Sequence, residues 1–249
     1  MKEHIAKIET SSGVMETFVT QPDEGGPHPI VLFYMDAIGI REELKDMARR
    51  IGTAGYCVLL PNLFYRAAGI DDIHLDAEQI EVKGSDERKR FWGLVKGLTN
   101  TGVMEDTRPL LDYAKAMDGA RNGSAGCVGY CLSGQFVYAV AGHYPQEIGA
   151  VASYYGAGIM TDQPDSPLLK TDEIRAELYL AFAEDDHWVP DPVVQAIAER
   201  LSGSSVRHRI ERYPGAHHGF AFPDRHTFDK PSAERHWERM LSLFRRNLD

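Results

Sequence analysis

The chain has 249 residues, a formal net charge of −10 and a sequence pI near 5.5. That length suits one large α/β domain with a substantial core, and the acidic balance excludes the basic patch that a nucleic-acid partner needs. No apolar run reaches membrane-spanning length, and the first residues lack the apolar segment of a signal peptide. Cys57, Cys127 and Cys131 show neither metal-ligand spacing nor a disulfide framework. A cytoplasmic protein with reduced thiols, no metal and no cofactor is expected.

Residues 5–9 and 15–20 read as a hairpin turning at Ser11-Ser12-Gly13. The continuous apolar runs 29–34 and 56–61 read as strands buried on both faces of a parallel sheet. Between them Leu44, Met47, Ala48 and Ile51 recur at helical spacing until Gly52 and Gly55. The polar, acidic stretch 66–83 reads as a solvated connection, with a lid as the sharper alternative. Phe91, Leu94, Val95 and Leu98 mark a further helix, and 101–117 another, where Pro109 predicts a kink or a late start. Strands are predicted at 125–130, 148–154, 178–183 and 206–213. Asp191-Pro192 opens a helix as its N-cap and first residue, and Trp237, Met240, Leu241, Phe244 and Leu248 stripe the last one. Strands alternating with helices define a mostly parallel sheet covered on both faces, without repeats or linkers.

The segment Gly129-Tyr130-Cys131-Leu132-Ser133-Gly134 joins the strand 125–130 to a helix. A reactive side chain flanked two residues away by small ones, at such a turn, is the nucleophile-elbow pattern. The helix N-terminus behind Cys131 favours a thiolate. Gln135-Phe136 stand where a phosphate-binding loop carries Lys and Ser or Thr, so nucleotide binding is excluded. A thiol nucleophile needs a base and a group that orients it. In an open parallel sheet these lie past the carboxyl ends of strands. Asp185 and Asp186 follow the strand 178–183, and His217 and His218 follow the strand 206–213. The order nucleophile, acid, histidine is that of α/β-hydrolases. The backbone N–H of Leu132, next after the nucleophile, would form half of an oxyanion hole, with a second N–H from the loop after the strand 29–34.

With Asp186-His187-Trp188-Val189-Pro190, Tyr213-Pro214-Gly215-Ala216-His217-His218-Gly219-Phe220, residues 34–39 and residues 60–66, the elbow motif makes the whole chain resemble the dienelactone hydrolase family. The resemblance implies an α/β-hydrolase fold and a catalytic triad of Cys131, Asp186 and His218, with Ala37 as the second oxyanion donor. It also implies that Arg66 holds a substrate carboxylate, a role suited to a planar guanidinium. Three departures follow. Asp36 stands where the family carries a thiol-adjacent Glu, and Ser133 where it carries Gly. Phe222 replaces the family's second carboxylate-binding Arg, with Arg225 a displaced candidate. Weakened anion recognition is expected, in a pocket lined by Tyr34, Phe64, Trp188 and Phe222.

The resulting expectation is a cysteine-dependent hydrolase of small lactones or esters, a monomer or small homo-oligomer, working through an acyl-enzyme. Its activity is expected to rise with pH as His218 becomes neutral. A thioesterase or acyl-transferring relative, and a non-catalytic thiol redox sensor on the same fold, are the alternatives.

Overall fold

A computed structural model describes residues 1–248. An eight-stranded sheet runs through it in the order β1-β2-β4-β3-β5-β6-β7-β8. The strands are β1 (Lys2–Thr10), β2 (Gly13–Gln21), β3 (Ile30–Tyr34), β4 (Cys57–Pro61), β5 (Ala125–Tyr130), β6 (Ile148–Tyr154), β7 (Glu177–Asp185) and β8 (His208–His217). The hairpin β1–β2 is antiparallel and joins β4 antiparallel, whereas β4-β3-β5-β6-β7-β8 pair in parallel. All residues of β3, β4 and β5 are buried, as their unbroken apolar sequences require of strands covered on both faces.

The helices are α1 (Glu42–Thr53), α2 (Ala77–Glu81), α3 (Asp86–Lys96), α4 (Asn100–Ala116), α5 (Ser133–His143), α6 (Asp191–Ser202) and α7 (Lys230–Leu248), with a 3-10 turn at Pro167–Glu173. The fold is the predicted one, and the differences are local. α4 starts at Asn100, capped by the Thr99 hydroxyl, and carries Pro109 in its interior, so the proline does not delay it. Pro190, not Asp191, is the N-cap of α6. The stretch 66–83 contains α2, because the Asp76 carboxylate accepts from the N–H groups of Glu78 and Gln79.

The carboxyl ends of the parallel strands all open at one edge of the sheet. The loops after β3, β5, β6, β7 and β8 therefore converge there, and that convergence makes the site.

Candidate active site

Cys131 follows β5 directly, with φ of 53°. A non-glycine residue in the left-handed region is strained, and such strain persists only where surrounding contacts impose it. Here they do. The Cys131 N–H donates to the Tyr154 carbonyl at 3.1 Å, and its own carbonyl accepts from Gly134 at 3.1 Å and Ala157 at 2.9 Å. The two glycines of the motif are sterically required. A Cβ on Gly129 would lie 2.6 Å from the Ser133 carbonyl oxygen, and one on Gly134 would lie 2.1 Å from the Gly156 Cα. Ser133 is more than a small spacer: its buried hydroxyl donates to the Met35 carbonyl, tying the start of α5 to the loop after β3.

His218 and Asp186 come together from β8 and β7. His218 Nδ1 and Asp186 Oδ2 are 2.8 Å apart, and the Asp186 side chain is 1 % exposed. The other carboxylate oxygen accepts from the N–H groups of Trp188 at 2.9 Å and Val189 at 3.3 Å, which fixes the acid in its loop. His218 Nε2 is buried without a hydrogen-bond partner, and the ring lies near enough to Cys131 for the thiol's charge to act on it. Burial pushes the imidazole down, but the charge of Cys131 and the bond to Asp186 outweigh it, and His218 is raised to about 10. The neighbouring pair, His217 and Asp185, also meets, at 3.1 Å, but both side chains are largely exposed. Burial therefore separates two adjacent Asp–His pairs, and the buried one is the pair to which the resemblance points.

A cavity of about 440 Å³ lies over Cys131. Its floor and walls include Asp36, Ala37, Ile38, Cys131, Tyr155, His218 and Phe222, with Trp188 at the rim. Ala37 stands beside Cys131 in the lining, and Leu132 packs against the Ala37–Ile38 cluster, so both expected oxyanion donors belong to this corner. The other large hollow, about 960 Å³, lies by α4 and the 3-10 turn and contains none of the motif residues.

The remaining expectations need correction. Arg66 is not in the cavity. Its guanidinium makes a fork on the buried Asp106 carboxylate, at 2.8 and 3.0 Å, and is thereby committed to α4. Tyr34 and Phe64 are core residues outside the lining: Tyr34 donates or accepts at Thr107 Oγ1, 2.8 Å away, and Phe64 packs against Gly39. Asp36 is buried but forms no hydrogen bond to Cys131. Its Oδ1 accepts from Arg41 at 2.9 Å and from the Ile38 N–H at 3.1 Å, and Arg225 lies 3.7 Å from Oδ2. Phe222 lines the cavity but is almost fully buried, beneath the Arg41 guanidinium at 5.1 Å. The cations in the lining are Arg225 and Arg88. Arg225 matches the displaced candidate of the sequence, whereas Arg88 lies on α3 and was missed. No motif surrounds Arg88; only the lid alternative for 66–83 pointed to that region.

That region does cover the site. Ala77, Ile80 and Glu81 of α2 and Arg88, Phe91 and Trp92 of α3 form the outer wall. Ile80 and Phe91 pack on Ala37 and Ile38 in a small apolar cluster of their own, and Trp92 meets Trp188 at 6.0 Å between ring centroids. Among the described residues, the hydrogen bonds and ion pairs of 76–96 close on partners within 72–98, such as Arg88 to the Ile80 carbonyl and Arg90 to those of Asp72 and His74. The cap thus rests on the body through apolar contacts alone.

No group of three or more His, Cys, Asp or Glu among the described residues is placed to hold a metal ion. No helix among them is long and apolar enough to cross a membrane.

A parallel sheet with a strained nucleophile elbow at the end of β5, an acid after β7 and a histidine after β8 defines the α/β-hydrolase fold. The solved structure titled "Crystal Structure of Putative Dienelactone Hydrolase from Klebsiella pneumoniae subsp. pneumoniae MGH 78578" has this fold, with a TM-score of 0.86 at 23 % identity over 98 % of both chains. The model of the dienelactone hydrolase family matches residues 15–248, and the chain belongs to that family of hydrolases. Among its relatives are the "Putative carboxymethylenebutenolidase" of Synechocystis sp., 28 % identical over 93 % of this chain and 91 % of the relative, and the carboxymethylenebutenolidase of Pseudomonas putida, 24 % identical over 78 % and 76 %.

Proposed function

We propose that this protein hydrolyses small lactones or esters with Cys131 as nucleophile, His218 as proton carrier and Asp186 as its orienting acid. The observation that carries the reading is the buried Asp186–His218 pair, 2.8 Å between Oδ2 and Nδ1, in one cavity with the Cys131 thiol. Cys131 attacks the carbonyl carbon as a thiolate while His218 holds the proton. The oxyanion meets the N–H groups of Ala37 and Leu132, each worth about 3 kcal/mol in such a hole. The carbon–oxygen bond then breaks, and the leaving oxygen takes the proton from His218 Nε2. Water, deprotonated by the same nitrogen, releases the acid from the acyl-enzyme.

A histidine held near 10 stays protonated through neutral pH, so His218 enters the reaction as the imidazolium. Activity then follows loss of the imidazolium proton at alkaline pH rather than gain of a neutral base near 6.5. Substrates with a carboxylate suit the cavity through Arg88 and Arg225, not Arg66. Three free cysteines, two of them buried, support a reducing compartment such as the cytoplasm.

The test is turnover of neutral lactones, anionic lactones and short aryl esters by wild type and Cys131→Ala. Turnover that disappears in the variant is expected. Turnover that survives it, or fast alkylation of Cys131 without any turnover, overturns the reading.

A further inference from the structure

Tyr155 follows β6, the strand between the nucleophile strand β5 and the acid strand β7. It is the second non-glycine residue with positive φ, at 40°, after Cys131 itself. Its N–H donates to the Ala181 carbonyl at 2.7 Å, which holds this backbone against β7. The side chain is fully buried, packed on the His218 ring at 4.9 Å between centroids and on Phe220 at 5.0 Å, and it lines the cavity over Cys131. Its hydroxyl is buried and has no hydrogen-bond partner. A buried hydroxyl left unbonded opposes folding, and native structures satisfy nearly all such groups. A strained backbone and an unmet donor thus coincide on one residue at the wall of a catalytic cavity. Packing does not explain the hydroxyl, because phenylalanine would fill the same space.

The position within the sheet indicates what the hydroxyl meets. The proposed oxyanion donor Ala37 comes from the loop after β3, on one side of Cys131. Tyr155, Asp186 and His218 come from the ends of β6, β7 and β8, on the other side. An ester carbonyl attacked by Cys131 with its oxygen toward Ala37 presents its alkoxy oxygen to the histidine side. We infer that the Tyr155 hydroxyl is a catalytic hydrogen-bond donor to the leaving oxygen of the scissile ester or lactone. It keeps its own proton. As the carbon–oxygen bond breaks, the electron pair goes to that oxygen, His218 Nε2 supplies the proton, and Tyr155 stabilises the charge that builds before transfer is complete. Burial pushes the Tyr155 hydroxyl well above its ordinary range, so it remains a donor throughout the working pH.

The inference rests on the cysteine-hydrolase reading, and its test separates the two. Wild type, Tyr155→Phe and Cys131→Ala are compared on esters of one acid whose leaving groups range from nitrophenol to simple alcohols, with thermal unfolding of each protein. Tyr155→Phe is expected to lose about tenfold to a hundredfold in kcat/KM on alkyl esters and lactones. The loss should fall to almost none with nitrophenyl esters, whose leaving oxygen needs little help, and Tm should hold or rise. Equal rates in Tyr155→Phe across the series overturn the inference while leaving the nucleophile assignment intact. So does a lower Tm with a uniform rate loss, which marks a hydroxyl bonded to buried water. Turnover that persists in Cys131→Ala overturns the underlying reading and this inference with it.

Discussion

Replacing Asp186 by Asn tests the triad without emptying the space it fills. One carboxylate oxygen serves His218, and the other serves two N–H donors, those of Trp188 and Val189. Asparagine has a single acceptor oxygen. Two loop donors compete for it against one imidazole nitrogen, so the oxygen turns to the loop and the NH2 group faces His218 Nδ1. A donor there opposes the imidazolium, and it leaves the neutral ring with its proton on Nε2, where it cannot accept one from water. The negative charge that helps to raise His218 is lost as well. In a serine triad that inversion costs about 10⁴ in rate. A thiol gives up its proton more readily than an alcohol, so we expect a loss of about 10²–10³ in kcat/KM, or roughly 3–4 kcal/mol. The loop bonds survive, and unfolding free energy should change by less than about 1 kcal/mol. Asp186→Ala strands the two loop donors and should also lose about 1–3 kcal/mol of stability. Steady-state hydrolysis of an aryl ester, denaturant unfolding and the alkylation rate of Cys131 provide the readouts. Asn activity within about tenfold of wild type would refute the orientation argument.

Other outcomes follow from the same geometry. Gly134→Ala forces its methyl to within 2.1 Å of the Gly156 backbone, so the elbow must move; we expect about 1–3 kcal/mol of destabilisation with loss of activity, seen by thermal unfolding and assay. Arg88→Met and Arg225→Met should raise KM for carboxylate-bearing substrates about tenfold relative to neutral ones. Arg66→Met should leave that ratio alone and instead lower stability by about 1–3 kcal/mol, because the buried Asp106 loses its counter-charge and keeps only the Tyr65 hydroxyl. In a pH profile of kcat/KM, which reports the free enzyme, activity should hold through neutral pH and fall as His218 loses its proton near 10; a rise centred near 6.5 would contradict the imidazolium assignment. Glu147 is lowered to about 2, first by its bond to Arg108 and then by Lys115. Its contribution is present above the unfolded carboxylate value and is lost as pH falls toward 2, so the stability gap between wild type and Glu147→Gln should close in acid.

The proposed triad could be drawn from the sequence because each member sits in a short motif at the carboxyl end of a strand, and buried parallel strands announce themselves as unbroken apolar runs. The choice of Asp186 over Asp185, and of His218 over His217, required resemblance, because adjacent residues share a loop and differ only in which one the fold buries. Arg66 misled for a related reason. Its partner Asp106 lies forty positions away on α4, and no local pattern shows that the guanidinium is already taken. Tyr34 and Phe64 are apolar neighbours of motif residues, yet strand alternation and loop packing send them into the core. Tyr155 could have been found. The strand-end rule that located Asp186 and His218 applies equally to β6, whose last residue precedes Tyr155-Gly156, but a tyrosine after a strand carries no reactive signature of its own.

The cap of α2 and α3 has a consequence for how this enzyme can change. Because its polar bonds close among its own residues and it meets the body only through side chains such as Ile80, Phe91 and Trp92, substitutions within it strand no charge in the sheet below. Arg88 and the apolar residues that shape the outer wall can therefore vary while Cys131, Asp186 and His218 stay fixed. Selection for a new substrate has a segment of its own to act on, energetically separate from the proposed catalytic residues.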